Sequence, residues 1–193
     1  MLALKPSTRM TNREFLAFLD ARPKGEHWEV IDGAPLAMSR PSYSHEILTA
    51  NVGVFLGPLG RACGCRVLRN FFFQVTANDG RMFDPDLMMR CGAPSPEVAE
   101  GFCSDALLVC ETLSPSTMRY DRGQKLDAYL QHASLRQIVL LYPQEVRLEV
   151  WMREEGEAFA LEPLVLRTLD DALPPPLLHT SLPLAVIYEG AWA

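Results

Sequence analysis

Residues 106–117 read Ala-Leu-Leu-Val-Cys-Glu-Thr-Leu-Ser-Pro-Ser-Thr, and this stretch decides the fold class. Ala106–Thr112 is a near-continuous apolar run, the signature of a strand buried on both faces in the middle of a sheet. Ser114-Pro115-Ser116 breaks the run, and Ser116 or Thr117 can start a helix that continues to about His132. Downstream, Gln137–Tyr142 and Val146–Met152 read as two strands around a Pro143–Glu145 turn, with Phe159–Leu166 a weaker third.

The same reading extends upstream. Thr11–Ala21 is a helix, with Thr11 as N-cap and Glu14 placed for a capping box. His27–Met38 is a hairpin about the turn signal Asp32-Gly33. A second helix runs from about His45 to Ala62, with Ile47, Leu48, Val52, Phe55, Leu56 and Leu59 facing inward. Cys65–Thr76 alternates like a strand, Asn78–Gly80 turns the chain, and Phe83–Arg90 is another short strand. Cys91–Gly101 is a loop with room for one helical turn. Pro174–Pro176 interrupts the tail, and Leu182–Tyr188 returns to strand-like or packing character. The sum is a mixed sheet with helices on its faces, the α/β or α+β class.

Composition narrows the function classes. Apolar residues make up 48% and charged residues 22%, as in ordinary globular chains, and no composition break divides the 193 residues. We read residues 1–10 as a tail and 11–193 as one domain. The tail has no long apolar stretch, so no signal peptide is expected, and no run approaches the length of a membrane span. Five cysteines, an odd number at irregular spacing without a Cys-x-x-Cys pair, argue against a disulfide framework and a zinc site. Reduced thiols in a cytoplasmic protein are the expectation. The net charge of −6 counts against a large nonspecific nucleic-acid surface, which needs Lys and Arg.

Two acids and a lysine carry chemistry. Asp84-Pro85-Asp86 lies in a short strand after a turn, Glu111 ends the most apolar strand, and Lys125 is on the helix that follows. A carboxylate at the end of a buried strand is costly unless it is paired or binds a cation. Two such carboxylates on adjacent strands can hold one Mg²⁺, with waters completing its shell. A lysine beside them can orient a water or balance phosphate charge, the minimum kit for metal-assisted phosphodiester hydrolysis. Each residue also has a plain reading: Glu111 as a solvated strand end, Asp84 or Asp86 as turn formers, Lys125 as a surface residue. Arg119 and Arg122 divide evenly between a phosphate-facing patch with Lys125 and simple solvation. Asp121 can pair with Arg122 or Lys125, or cap a helical turn. His132 and His179 read as surface residues. No nucleophile elbow surrounds Ser114 or Ser116, and no phosphate-binding glycine loop is present.

Five stretches, in this order, resemble the Uma-two family of endonucleases within the PD-(D/E)XK, restriction-endonuclease-like superfamily. They are WEVIDG at Trp28–Gly33, Ser44–His45, DPDLMM at Asp84–Met89, CETLSPST at Cys110–Thr117 and RYDRGQKLDAYL at Arg119–Leu130. The resemblance spans roughly Thr11 to Tyr188. It implies a restriction-endonuclease-like mixed central sheet flanked by helices, and a Mg²⁺- or Mn²⁺-dependent DNA endonuclease. Asp86 matches the first acid and Glu111 the second, both as metal ligands, with the backbone carbonyl of Thr112 completing the set. Lys125 matches a lysine that has moved onto the helix, and Leu113 stands at the superfamily's more usual lysine position. Glu29 matches an early acid that reaches toward the metal or its water. His45 matches a recurrent histidine without an assigned role. Cys110 and Thr112 depart from the more usual valine-rich surroundings of the second acid.

The expected partner is nucleic acid, DNA first, with no membrane association. Cutting both strands from one site per subunit calls for a C₂ homodimer. The contact would come from an exposed edge at Val146–Met152 or from the apolar C-terminal tail. Two alternatives stay open: a catalytically silent nuclease-fold module for binding or assembly, and a nuclease acting on RNA or structured nucleic acid.

Overall fold

The computed structural model describes residues 9–76, 80–174 and 180–192. Most of the 1–10 tail, most of the Asn78–Gly80 turn, Pro175, Pro176 and His179 lie outside the described residues. The strands are β1 (Trp28–Ile31), β2 (Ala34–Ala37), β3 (Cys65–Leu68), β4 (Phe72–Gln74), β5 (Met82–Phe83), β6 (Leu87–Cys91), β7 (Phe102–Cys103), β8 (Ala106–Thr112), β9 (Gln137–Leu141), β10 (Leu148–Met152), β11 (Leu164–Leu166), β12 (Ala172–Leu173) and β13 (Leu182–Pro183). The helices are α1 (Asn12–Asp20), α2 (Tyr43–Ala62), α3 (Pro96–Ala99), α4 (Met118–Tyr120), α5 (Leu126–Leu130) and α6 (Leu184–Ile187), and a π-type segment, Asp121–Lys125, joins α4 to α5.

Among the described residues the main sheet has six strands in the order β11-β10-β9-β8-β6-β3. The apolar run is β8, central as its composition requires, antiparallel to β6 and parallel to β9. Both faces of this sheet are covered. Leu87, Leu108, Cys110 and Val139 pack with Leu48, Val52 and Leu56 of α2 and with α6. The alternate residues Met88, Val109, Ile138 and Leu140 pack on the other side with Leu126 and Tyr129 of α5 and Phe73 and Phe83 of the second sheet. That sheet runs β2-β1-β5-β4-β7 and carries α1 through Phe15, Val30 and Met82. The architecture is mixed α+β, with sheets flanked by helices.

Local chemistry explains several elements. The capping box forms: the Thr11 amide donates to Glu14 Oε2 at 2.7 Å, and the Glu14 amide to Thr11 Oγ1 at 3.3 Å. The β1–β2 turn puts Asp32 at φ 48° and Gly33 at φ 80°, the two positive values a tight hairpin turn requires.

Several expected elements are corrected. The strand expected over 65–76 is two strands in different sheets, because Asn70 at φ 51° turns the chain between β3 and β4. The strand over 83–90 divides likewise into β5 and β6, so Asp84-Pro85-Asp86 is a joint between sheets and not strand. The helix expected to His132 kinks at Gly123 (φ −105°, ψ −107°), the residue with no Cβ to resist it. The 159–166 strand shrinks to β11, α3 supplies the single turn in the 91–101 loop, and 182–188 is β13 followed by α6. β10 lies between β9 and β11 and is no exposed edge. Cys65 and Cys91, directly opposed in the β3–β6 ladder, form a disulfide, so the thiols are not all reduced.

Candidate active site

The site is built where one bent ribbon passes from sheet to sheet. Leu68 pairs Met88 on one side of the bend and Phe73 pairs Phe83 on the other. Residues 84–86 are therefore at the fold of the ribbon, free of ladder pairing. Leu87 pairs Cys110, so continuing that antiparallel register sets Asp86 opposite Glu111 on the same face of the sheet.

Each acid is gripped through one oxygen. Asp86 Oδ2 accepts the Thr112 amide N–H at 2.7 Å and lies 3.1 Å from Nε2 of His45. His45 sits in the first turn of α2, where its amide donates to the cap residue Ser42. The far face of Thr112 is tied to the same helix, its hydroxyl 2.9 Å from that of Thr49. Glu111 Oε1 accepts the Tyr129 hydroxyl at 2.6 Å and lies 2.9 Å from Lys125 Nζ. Asp86 Oδ1 and Glu111 Oε2 keep no hydrogen bond among the described residues.

Lys125 is 1% exposed and ends the π-type segment. Its ammonium lies between Glu111 and Glu29 Oε1, the latter at 2.6 Å. Glu29, from β1, is fully buried; its Oε1 also accepts the Asp84 amide at 2.9 Å, and its Oε2 has no partner. Burial pulls the lysine toward neutrality, but Glu111 and Glu29 outweigh it and hold Lys125 protonated. It is an ammonium, not a base.

Negative charge is in excess. Glu29, Asp84, Asp86, Glu111 and Asp121 surround one lysine. Burial, and then the neighbouring Glu29, pushes the Asp84 carboxyl up to about 6; burial lifts Asp121 to about 6 against the pull of Lys125. Burial also drives Glu111 well above the usual carboxylate range despite Lys125. Buried carboxylates short of positive charge are the electrostatic condition a bound cation relieves. Asp84, Asp86, Glu111, Thr112, Asp121 and Lys125 line a cavity of about 410 Å³.

Residues 13–186 match the Uma2 family, described as "Putative restriction endonuclease". The chain belongs to the Uma2 family. An uncharacterized protein of Synechocystis sp. is 25% identical over 194 residues, covering 98% of each chain. A crystal structure described as a putative nuclease belonging to DUF820 from Anabaena variabilis superposes with a TM-score of 0.72 at 16% identity, covering 92% of this chain and 98% of that one. At that identity the likeness is one of fold.

Within this Uma2 chain, the residues named from sequence do not all come together. Asp86, Glu111, Thr112, Lys125 and His45 line the cavity, and Glu29 stands behind Lys125. Arg122 does not: it pairs with Glu149 of β10 at 3.0 Å. Arg119 is exposed and also lies off the lining. Sequence reasoning had Tyr129 within a family motif but gave it no role; its hydroxyl holds Glu111. Its signal was spacing, since residues four apart on a helix share a face, as Lys125 and Tyr129 do. It also passed over Arg40 and Arg69 on the lining, which carry no local sequence signal.

Proposed function

We propose that this chain is a metal-dependent DNA endonuclease that hydrolyses phosphodiester bonds, with residues 11–193 forming one domain behind a tail of 1–10. One observation carries the reading. Asp86 and Glu111 oppose each other at the end of the buried ladder, each with an oxygen left free, beside an ammonium held by Glu111 and Glu29.

The donor set fits a hard divalent cation. Two carboxylates and the Thr112 carbonyl are oxygen donors of the kind Mg²⁺ or Mn²⁺ takes. No three acidic, histidine or cysteine side chains among the described residues form a ready cage. Asp86, Glu111 and the Thr112 carbonyl would hold the cation, and waters would fill its remaining positions. Such a cation supplies Lewis-acid stabilisation of charge developing on the phosphoryl oxygens. The chain's own residues do the rest. His45 and the Thr112 amide fix the rotamer of Asp86, and Tyr129 fixes Glu111. Lys125, kept charged by Glu29 and Glu111, orients the attacking water in line with the leaving oxygen. A subunit with one such site cuts both strands as a C₂ homodimer. With DNA as substrate, the cytoplasm is the compartment we propose. Among the described residues no helix is long and apolar enough to cross a membrane.

The test is cleavage of supercoiled plasmid, linear duplex and RNA with Mg²⁺, Mn²⁺ or chelator. Wild type should cut DNA only with the cation. Asp86→Asn and Lys125→Ala should each lose on the order of 10²-fold or more, the scale of a lost charge-stabilising group. Intact DNA in every wild-type lane, or equal cutting by the variants, would sink the reading.

A further inference from the structure

A substrate carrying phosphates needs cations at the cavity, and this acidic chain offers few there. Lys125 is consumed by Glu29 and Glu111. Apart from histidines, the remaining basic side chains on the lining are Arg40 and Arg69. Arg69 is there because of strand pairing. The ladders Leu68–Met88 and Phe73–Phe83 leave residues 69–72 facing 84–87 across the bend, so Arg69 is set against the acid joint. Arg40 comes from the loop between β2 and α2, on a different element.

Both arginines are available. Arg40 is exposed and has no ion-pair partner among the described residues. Arg69 pairs with Glu46 at 3.2 Å, and the two side chains are 38% and 48% exposed. An exposed pair of this kind contributes little to stability, so a phosphate displaces it readily. Hydroxyls continue the rim beside Arg40. Ser39 Oγ lies 3.0 Å from Ser116 Oγ, which lies 2.9 Å from Ser114 Oγ, tying the β2–α2 loop to the β8–α4 loop. Arginine, serine and threonine are the usual donors to phosphate oxygens in nucleic-acid backbones.

We propose that Arg40 and Arg69 clamp the phosphates flanking the scissile bond of a strand laid across the cavity, and that Arg119 and Arg122 make no such contact. The clamp rests on the nuclease reading of the same site, yet its test is binding and not cleavage. Affinity of labelled duplex DNA, single-stranded DNA and RNA is measured at several salt concentrations, with Ca²⁺ replacing Mg²⁺ to slow turnover. Arg40→Ala and Arg69→Ala should each weaken binding several-fold. Each should also reduce the slope of log affinity against log salt by about 0.9 on duplex DNA. Arg40→Lys and Arg69→Lys should keep the slope, and Arg119→Ala should match wild type. Equal thermal midpoints confirm that the variants are folded. A double alanine variant with wild-type affinity and slope overturns the clamp, even if Asp86→Asn abolishes cleavage and the nuclease reading stands. Arginine-dependent binding by a wild type that cuts nothing keeps the clamp and removes turnover. A wild type that binds none of the three nucleic acids overturns the clamp.

Discussion

Two ion clusters flank the short segment Asp121–Lys125, each built on a buried carboxylate, and they differ in charge balance. On one side Arg122 and Arg147 share the carboxylate of Glu149, at 3.0 and 2.5 Å. Arg147 also lies over the Tyr142 ring at 4.5 Å. On the other side Lys125 serves both Glu29 and Glu111, with Asp84, Asp86 and Asp121 close by. The Glu149 cluster sets two arginines against Glu149 and the exposed Glu145, which Arg147 also reaches at 3.4 Å, so its charges balance within the chain. The Lys125 cluster is short of positive charge and opens on a cavity. A buried carboxylate marks neither as functional, since Glu149 and Glu111 are both buried. The imbalance does, because a protein gains nothing in stability by leaving carboxylates underpaired.

The largest effect is expected at Lys125. Lys125→Met keeps the volume and strands Glu29 and Glu111, so unfolding free energy should fall by about 3–5 kcal/mol. Added Mg²⁺ should restore part of the loss in a urea titration. A loss no greater than that of an exposed substitution would mean the cluster is not strained. Glu149→Gln should cost less, about 1.5–3 kcal/mol for its charged hydrogen bonds. Mg²⁺ should stabilise this variant and wild type alike, because the Glu149 cluster is independent of the cavity.

The next test uses pH. Asp121 titrates at about 6 in the folded chain against an ordinary 3.8, mainly through burial. Its folded form therefore holds the proton longer than the unfolded form. Its contribution is most favourable below 3.8 and is lost as pH rises through about 6. Asp121→Asn should flatten that part of a stability–pH curve; an unchanged curve would remove Asp121 from the acid excess. The smallest effect is expected for Arg122→Ala. With a side chain 43% exposed, its loss should cost under about 1 kcal/mol and leave cation-dependent cleavage intact. A large loss of cleavage would return Arg122 to the substrate.

Some of this was open to sequence reading because it is local. The Thr11–Glu14 capping box, the Asp32-Gly33 turn and the apolar run at 106–112 each depend on neighbours a few residues away. The family motifs also pointed to Asp86, Glu111 and Lys125. Non-local features were not legible. The alternation over 65–76 and 83–90 is continuous across the bend, so nothing in either stretch announces that each divides between two sheets. Arg122 looked equivalent to Lys125 because spacing alone does not say which carboxylate each will meet.

Local sequence therefore sufficed for the buried central strand and the helices on its faces, and the family motifs named Asp86 and Glu111 as the acids to look for. It took the packing of the sheets to make Asp84-Pro85-Asp86 a joint, to set Glu29 against Lys125 and Tyr129 against Glu111, and to bring Arg69 rather than Arg122 to the cavity. The physical reason is range. Periodicity and capping are set along the chain, whereas charge balance is set by strand register between residues that meet only when the sheets have formed.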